Sequence, residues 1–267
     1  MTVPILKYPR TPHLQGSRLQ SGDEDLSQIP FEAIKGKHVV VEEKIDGANA
    51  AISFDVKGTL LLQSRGHYLS GGYRERHYEL FKVWANVHRN AFFEVLGARY
   101  VMYGEWMYAK HAVFYDKLPH YFFEFDVFDR EQQVFLSTRA RRELLHALPV
   151  VSVPVLAEGK FDSETQILSY LGQSQFISDR HVELLRKTCV EIGVDADKIC
   201  NETDLSLTME GLYLKVETEG TVTSRLKYVR SSYSQHITDS QTPWIDRPII
   251  PNGLSRQLGD LFLPELK

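Results

Sequence analysis

Apolar and polar positions alternate in short runs punctuated by Gly, Pro, Asn and Asp. Val39-Val40-Val41 leads into Glu42-Glu43-Lys44-Ile45-Asp46-Gly47-Ala48-Asn49. β-Branched residues favour a pleated, half-buried segment and Asp-Gly supports a reversal, so this stretch predicts strand, tight turn, strand. Residues 50–56 and 59–63 predict another strand pair across Lys57-Gly58, ending in Ser64-Arg65-Gly66. Residues 74–89 set Leu80, Phe81, Val83, Trp84 and Val87 at helical spacing among Arg74, Arg76, Lys82 and Arg89. Their aromatic rings read as core rather than as platforms for bases.

Residues 100–106 and 121–129 predict strands, the second turning acidic toward its end. Residues 138–148 predict a helix, 151–156 an extended segment, and 178–192 a helix capped by Ser178 or Asp179. Residues 210–216 and 222–230 predict a strand pair across 217–221. Strands and helices mix without regular βα alternation, which predicts an α+β domain of antiparallel sheets with flanking helices. That domain is expected over residues 31–232. An extended Pro-, Gly- and Ser-rich arm (1–30) precedes it and a short Pro-rich tail (233–267) follows. Lys7, Arg10 and Arg18 of the arm either touch a phosphate backbone or are simply solvated.

Composition narrows the class. With 43 % hydrophobic and 25 % charged residues in 267, the chain has the makeup of a soluble globular protein. No apolar run nears the roughly 20 residues that cross a bilayer. Met1-Thr2-Val3-Pro4 begins neither a signal nor a transit peptide, so a cytoplasmic protein with no membrane partner is expected. Cys189 and Cys200 form no Cys-x-x-Cys pair, which excludes a zinc framework and predicts reduced thiols, Cys189 as a small buried apolar group. A net charge of −4 excludes a protein that coats nucleic acid through global attraction, and leaves room for a local basic track.

A lone Lys-x-Asp-Gly is compatible with an ordinary hairpin and a solvated lysine. Its company changes the reading. In order, Lys44-Ile45-Asp46-Gly47, Ser64-Arg65-Gly66, Gly104-Glu105-Trp106, Phe123-Glu124-Phe125-Asp126, Glu210-Gly211-Leu212-Tyr213-Leu214-Lys215 and Arg225-Leu226-Lys227 resemble the motifs of covalent nucleotidyltransferases. With Asn49 following the lysine, the wording is most similar to ATP-dependent RNA ligases of the phage RNA ligase 2 type. The resemblance spans about residues 31–232 and departs at Arg225, where such ligases usually carry lysine; arginine keeps the charge in a planar fork.

The resemblance implies a ligase-type nucleotidyltransferase fold, unrelated to ATP-grasp, and a lysyl-AMP formed by Lys44 with ATP. An ordinary lysine is almost wholly protonated at neutral pH. Crowding by Lys215, Lys227 and Mg²⁺ or Mn²⁺, with partial desolvation, is expected to lower the pKa of Lys44. Glu105 would then bind the ribose, Phe125 stack on adenine, Arg65 and Asn49 engage phosphates or the end being joined, and Lys215 and Lys227 neutralise the α-phosphate. Glu210 would hold the divalent metal, and Asp46 a metal or a nearby cation. The implied partners are broken RNA ends in repair, with DNA ends, capping by GTP and a nucleotide-binding regulatory module without turnover as rival readings. Only 37 residues follow Arg230, against the roughly 70 that an appended OB-fold needs, so a minimal ligase is expected.

Overall fold

A computed structural model describes residues 4–19, 22–23, 25–233 and 247–263. The remaining parts of the expected arm and tail lie outside the described residues. Along the chain run β1 (His13–Leu14), β2 (Gln28–Ile29), β3 (His38–Lys44), β4 (Ala48–Phe54), β5 (Leu60–Ser64), α1 (Glu79–Val87), α2 (Arg89–Leu96), β6 (Tyr100–Trp106), β7 (Phe122–Asp129), β8 (Val134–Leu136) and α3 (Thr138–Leu145). They are followed by β9 (Val151–Ser152), β10 (Val155–Gly159), α4 (Glu164–Leu168), α5 (His181–Glu191), α6 (Ala196–Asn201), β11 (Gly211–Thr218) and β12 (Thr221–Val229). Among the described residues no helix is long and apolar enough to cross a membrane.

The expected α+β architecture is realised as one 12-stranded sheet, ordered β10-β3-β11-β12-β8-β7-β6-β4-β5 and antiparallel along that path. The expected hairpin at Lys44 does not form. β3 lies between β10 and β11, while β4 lies between β6 and β5, so Ile45-Asp46-Gly47 carries the chain from one half of the sheet to the other. Asp-Gly marks a change of direction, but the partner strands are supplied from far along the chain. Gly47 is needed for packing: a Cβ there would come 2.6 Å from Met107 Sδ and 2.9 Å from the Trp106 carbonyl.

The halves meet through β8, which pairs with β12 only at Thr221 and Val222 and with β7 only at Phe128 and Asp129. Beyond those residues β12 and β7 have no ladder between them, and a cleft opens there. The arm takes up part of the released β12 edge, because β1 pairs there, His13 opposite Lys227, and the Lys227 amide donates to the Pro12 carbonyl. An unpaired edge leaves backbone groups unsatisfied, so the arm is part of the sheet rather than a loose extension.

Strand alternation gives the β3–β11–β12 half two unlike faces. Val39, Val41, Leu212, Leu214, Val216 and Leu226 pack with Phe31 and Ile167 in one apolar cluster. The other face carries Glu42 and Lys44 beside Tyr213, Lys215, Arg225 and Lys227, as the cross-strand register dictates. In the second half, Ala50, Ile52, Phe54, Met102 and Trp106 pack on Phe81, Trp84 and Phe92 of α1 and α2, which confirms those rings as core. The expected helix at 74–89 is shorter: residues Tyr73–Tyr78 form a 3-10 turn, α1 ends at Val87, and α2 follows. Likewise α5 starts after Arg180 with no side-chain cap, since the Ser178 hydroxyl is committed to Asp116. Cys189 is buried and free, as expected.

Between the halves lies a charge-balanced buried cluster. Arg141 of α3 pairs with Glu42 and, at 2.5 Å, with Glu124; Lys215 pairs with Glu42 at 2.9 Å and Asp126 at 3.3 Å; Arg225 reaches Asp126 at 2.9 Å. Removing one member leaves an uncompensated buried charge, which costs more than the intact pair contributes. Replacing Arg141 by Met should therefore lower the unfolding free energy by about 3–5 kcal/mol at neutral pH, measured by chemical denaturation. A loss below about 1 kcal/mol, typical of an exposed pair, would contradict this account of the cluster.

Candidate active site

The cleft has a volume of about 530 Å³ and is lined by Lys44, Asp46, Asn49, Arg65, Glu105, Phe125, Glu210 and Lys227, from strands of both halves and the residues at their ends. The sheet explains the meeting. Lys44 ends β3 opposite Gly211, which places the preceding residue, Glu210, beside it; Lys44 Nζ donates to Glu210 Oε2 at 2.7 Å. On the opposite wall Asn49 of β4 is in register with Glu105 of β6. Phe125 owes its position to a β-bulge: Tyr103 faces Asp126 and Gly104 faces Glu124, leaving Phe125 as the extra residue. Bulges re-aim side chains, and here the ring reaches the cleft.

Lys215 is not in the cleft. Its ammonium lies wholly buried among Glu42, Asp126 and the Phe125 carbonyl, which accepts its hydrogen bond. Alternation put it on the correct face, but the acids of β3 and β7 draw it into the ion cluster. Its observed contact is to the backbone of the bulge that carries Phe125. Arg225 is held by Asp126 and stacks 3.7 Å from the Phe135 ring centroid, so of the Arg225–Lys227 pair only Lys227 lines the cleft.

The electrostatics of Lys44 are the reverse of those expected. Burial works against its ammonium, but Glu210 first, then Glu105 and Asp46, outweigh burial and raise its pKa above the ordinary lysine value. Among the chain's own groups carboxylates, not cations, dominate its surroundings. Burial pushes Glu105 up to about 8, and the nearby acids Glu210 and Asp46 add to this against the pull of Lys44. Glu43, also lining the cleft, is pushed up to about 7 by burial, opposed by a hydrogen bond with Ser174. Lys227 is lowered by burial and by Lys44, against the pull of Asp23.

Asp46 lines the cleft, yet Oδ2 accepts the amides of Ala112 (2.7 Å) and Val113 (2.9 Å). It fastens the crossover that follows Lys44 through Oδ2, and its charge also acts on Lys44. Among the described residues no group of three or more His, Cys, Asp or Glu is arranged to hold a metal ion. The donor set suits Mg²⁺ or Mn²⁺ only as hard oxygen ligands completed by water and phosphate, the usual manner for Mg²⁺. Glu210, at the end of the cleft beside Lys44, is the residue that would hold it.

Several lining residues carry no sequence signal: Tyr8, Thr11, Tyr78, His111 and Tyr233, and Tyr213 lies in a motif but without an assigned role. Tyr8 comes from the arm; its hydroxyl donates to Asp126 at 2.5 Å and its ring meets Phe125 edge-on at 5.0 Å. His111 is pushed down to about 4 by burial, so it faces the cleft neutral.

A split antiparallel sheet with a terminal lysine, flanking acids and an aromatic floor between its halves defines a ligase-type nucleotidyltransferase fold. A family model described as RNA ligase matches residues 37–229, and the chain belongs to the RNA ligase family. No curated protein matches it in sequence. Among solved structures it is similar to a Naegleria gruberi RNA ligase. Against one mutant with ATP and Mn the TM-score is 0.53 at 17 % identity, covering 86 % of this chain and 58 % of that one. Against another mutant with ATP and Mn the values are 0.51, 15 %, 90 % and 64 %, and against a mutant with AMP and Mn they are 0.51, 18 %, 78 % and 54 %. The chain thus spans under two thirds of the length of these proteins, and the likeness is one of fold.

The raised pKa of Glu105 has a thermodynamic consequence. Between its ordinary value of 4.5 and about 8 the folded state holds a proton that the unfolded chain has released, so stability falls as pH rises through that window and levels off above it. Glu105→Gln should be increasingly more stable than wild type from about pH 5 to 8 in thermal unfolding without ligand. A difference that does not change with pH would contradict the buried, protonated carboxyl.

Proposed function

We propose that the chain is an ATP-dependent RNA ligase that joins 5′-phosphate and 3′-hydroxyl ends through residues 31–232, with the arm completing the site. The observation that carries this reading is the convergence of Lys44, Glu105, Phe125, Glu210 and Lys227 on one cleft in a chain of the RNA ligase family. The Naegleria ligase mutants with ATP and Mn support the choice of nucleotide and metal.

In the first step the Lys44 nitrogen attacks the α-phosphorus of ATP, a P–N bond forms and pyrophosphate leaves. The proton to be lost sits on Nζ, 2.7 Å from Glu210 Oε2, the acceptor in reach. Phe125 offers an apolar face for the base, Glu105 a neutral carboxyl for the ribose hydroxyls, and Lys227 a positive charge for the phosphate. A divalent cation, when bound at Glu210, would supply further charge to the phosphates. AMP then passes from Lys44 to a 5′-phosphate, giving a 5′-5′ adenylylated end, and a 3′-hydroxyl displaces AMP to form the phosphodiester. Arg65 and Asn49 line the cleft, and on this reading they engage the phosphates or the end being joined. The buried free thiols suit a reducing cytoplasm, and repair of broken RNA is the role we assign.

With α-labelled ATP and Mg²⁺, the wild type should acquire acid-labile label that survives denaturing electrophoresis, and Lys44→Ala should acquire none. Unlabelled wild type, or label undiminished in Lys44→Ala, would overturn the proposal. Lys227→Ala should slow labelling about 100-fold or more, the scale for losing a donor to developing negative charge. On nicked duplexes, sealing should be faster with RNA than with DNA on the 3′-hydroxyl side. Equal or faster sealing with DNA would make the chain a DNA ligase.

A further inference from the structure

Lys227 has an acidic partner within the chain. Its ammonium donates to the carboxylate of Asp23, which belongs to the arm and is separated from it by most of the chain. Asp23 is itself held there: His13 Nε2 lies 3.1 Å from Asp23 Oδ2 and Arg10 Nη2 lies 3.5 Å from Oδ1. His13 is anchored in turn, with Nδ1 2.7 Å from the Ser17 hydroxyl, which accepts the amide of Val229 at 2.9 Å. Because β1 pairs with β12 at His13 and Lys227, the arm's backbone and its carboxylate grip the same residue. Asp23, His13 and Lys227 are all buried, so this is a built contact rather than a chance surface pair.

On the functional reading above, Lys227 must offer its charge to a phosphate. An ammonium neutralised by a neighbouring carboxylate attracts an incoming anion less than a free one. We infer that Asp23 is a positioning residue that holds the place of phosphate on Lys227: it keeps the ammonium compensated when no anion is bound and weakens anion binding there. The carboxylate offers Lys227 an oxygen ligand much like a phosphate oxygen, so the lysine changes partner without being desolvated alone. The same competition would help pyrophosphate and AMP to leave, because the departing anion's partner is replaced from within the chain.

The test uses the full chain and measures binding of inorganic pyrophosphate and of AMP by calorimetry. Asp23→Asn keeps the shape and removes the charge, and should bind both anions about 3- to 10-fold more tightly than wild type. Asp23→Glu keeps the charge and should restore binding to within about 2-fold of wild type. A merely structural role for Asp23 would weaken binding in Asp23→Asn, and unchanged or weaker binding in that variant overturns the inference. Thermal unfolding establishes that the variants fold; if Asp23→Asn does not, Asp23→Ser is judged by the same criterion. The inference rests on the ligase reading for its meaning but fails separately from it. Absent label on Lys44 would sink that reading, whereas pyrophosphate affinity reports on Asp23 alone.

Discussion

The site depends on one ion pair across two antiparallel strands: the Lys44 ammonium on the Glu210 carboxylate, 2.7 Å apart. The pair exists because β3 and β11 are in the register that sets Lys44 opposite Gly211, so a one-residue slip would turn Lys44 to the opposite face of the sheet. Gly211 tolerates no side chain, since a Cβ would lie 1.9 Å from the Tyr228 carbonyl. The strand pairing and the chemistry therefore constrain the same residues. This pairing holds the lysine as an ammonium, the unreactive form, and any chemistry at its nitrogen would begin by undoing it.

A sheet that separates between β12 and β7 solves a second problem. Lys44, Asn49, Glu105 and Lys227 come from strands on the two walls of the cleft, so their positions are set by register rather than by loop conformation. Opening the sheet also exposes charged faces that must be neutralised, and the buried cluster of Glu42, Glu124, Asp126, Arg141, Lys215 and Arg225 does so behind the cleft. The cluster reaches the site through the bulge, because Lys215 binds the carbonyl of Phe125. Arm, cluster and cleft are consequently one electrostatic system: Tyr8 joins the arm to Asp126, and Asp23 joins it to Lys227.

Much of this was legible locally. The strand at Tyr100–Trp106 follows from its local apolar run, and the order of short motifs pointed to residues that do line the cleft. What escaped was set by partners distant in sequence. Asp46-Gly47 has the local signature of a hairpin, yet β3 finds its neighbours in β10 and β11. Periodicity put Lys215 on the right face but could not say that Glu42 and Asp126 would bury it. Asp23 sits in an arm with no periodicity, and only the pairing of β1 with β12 gives it a role. The sign of the effect on Lys44 has a related cause: motif order names both the acids and the cations of the site, but not that Glu210 sits directly on the amine while Lys215 is drawn away into the buried cluster.

The most direct measurement is the titration of Lys44 itself, by NMR of the ligand-free protein with isotope-labelled lysine, assigned by comparison with Lys44→Arg. Ion pairing with Glu210 predicts a pKa above that of an ordinary lysine, falling when Glu210 is replaced by Gln. A Lys44 that titrates at or below the ordinary value in the ligand-free protein, and is indifferent to Glu210→Gln, would contradict the account.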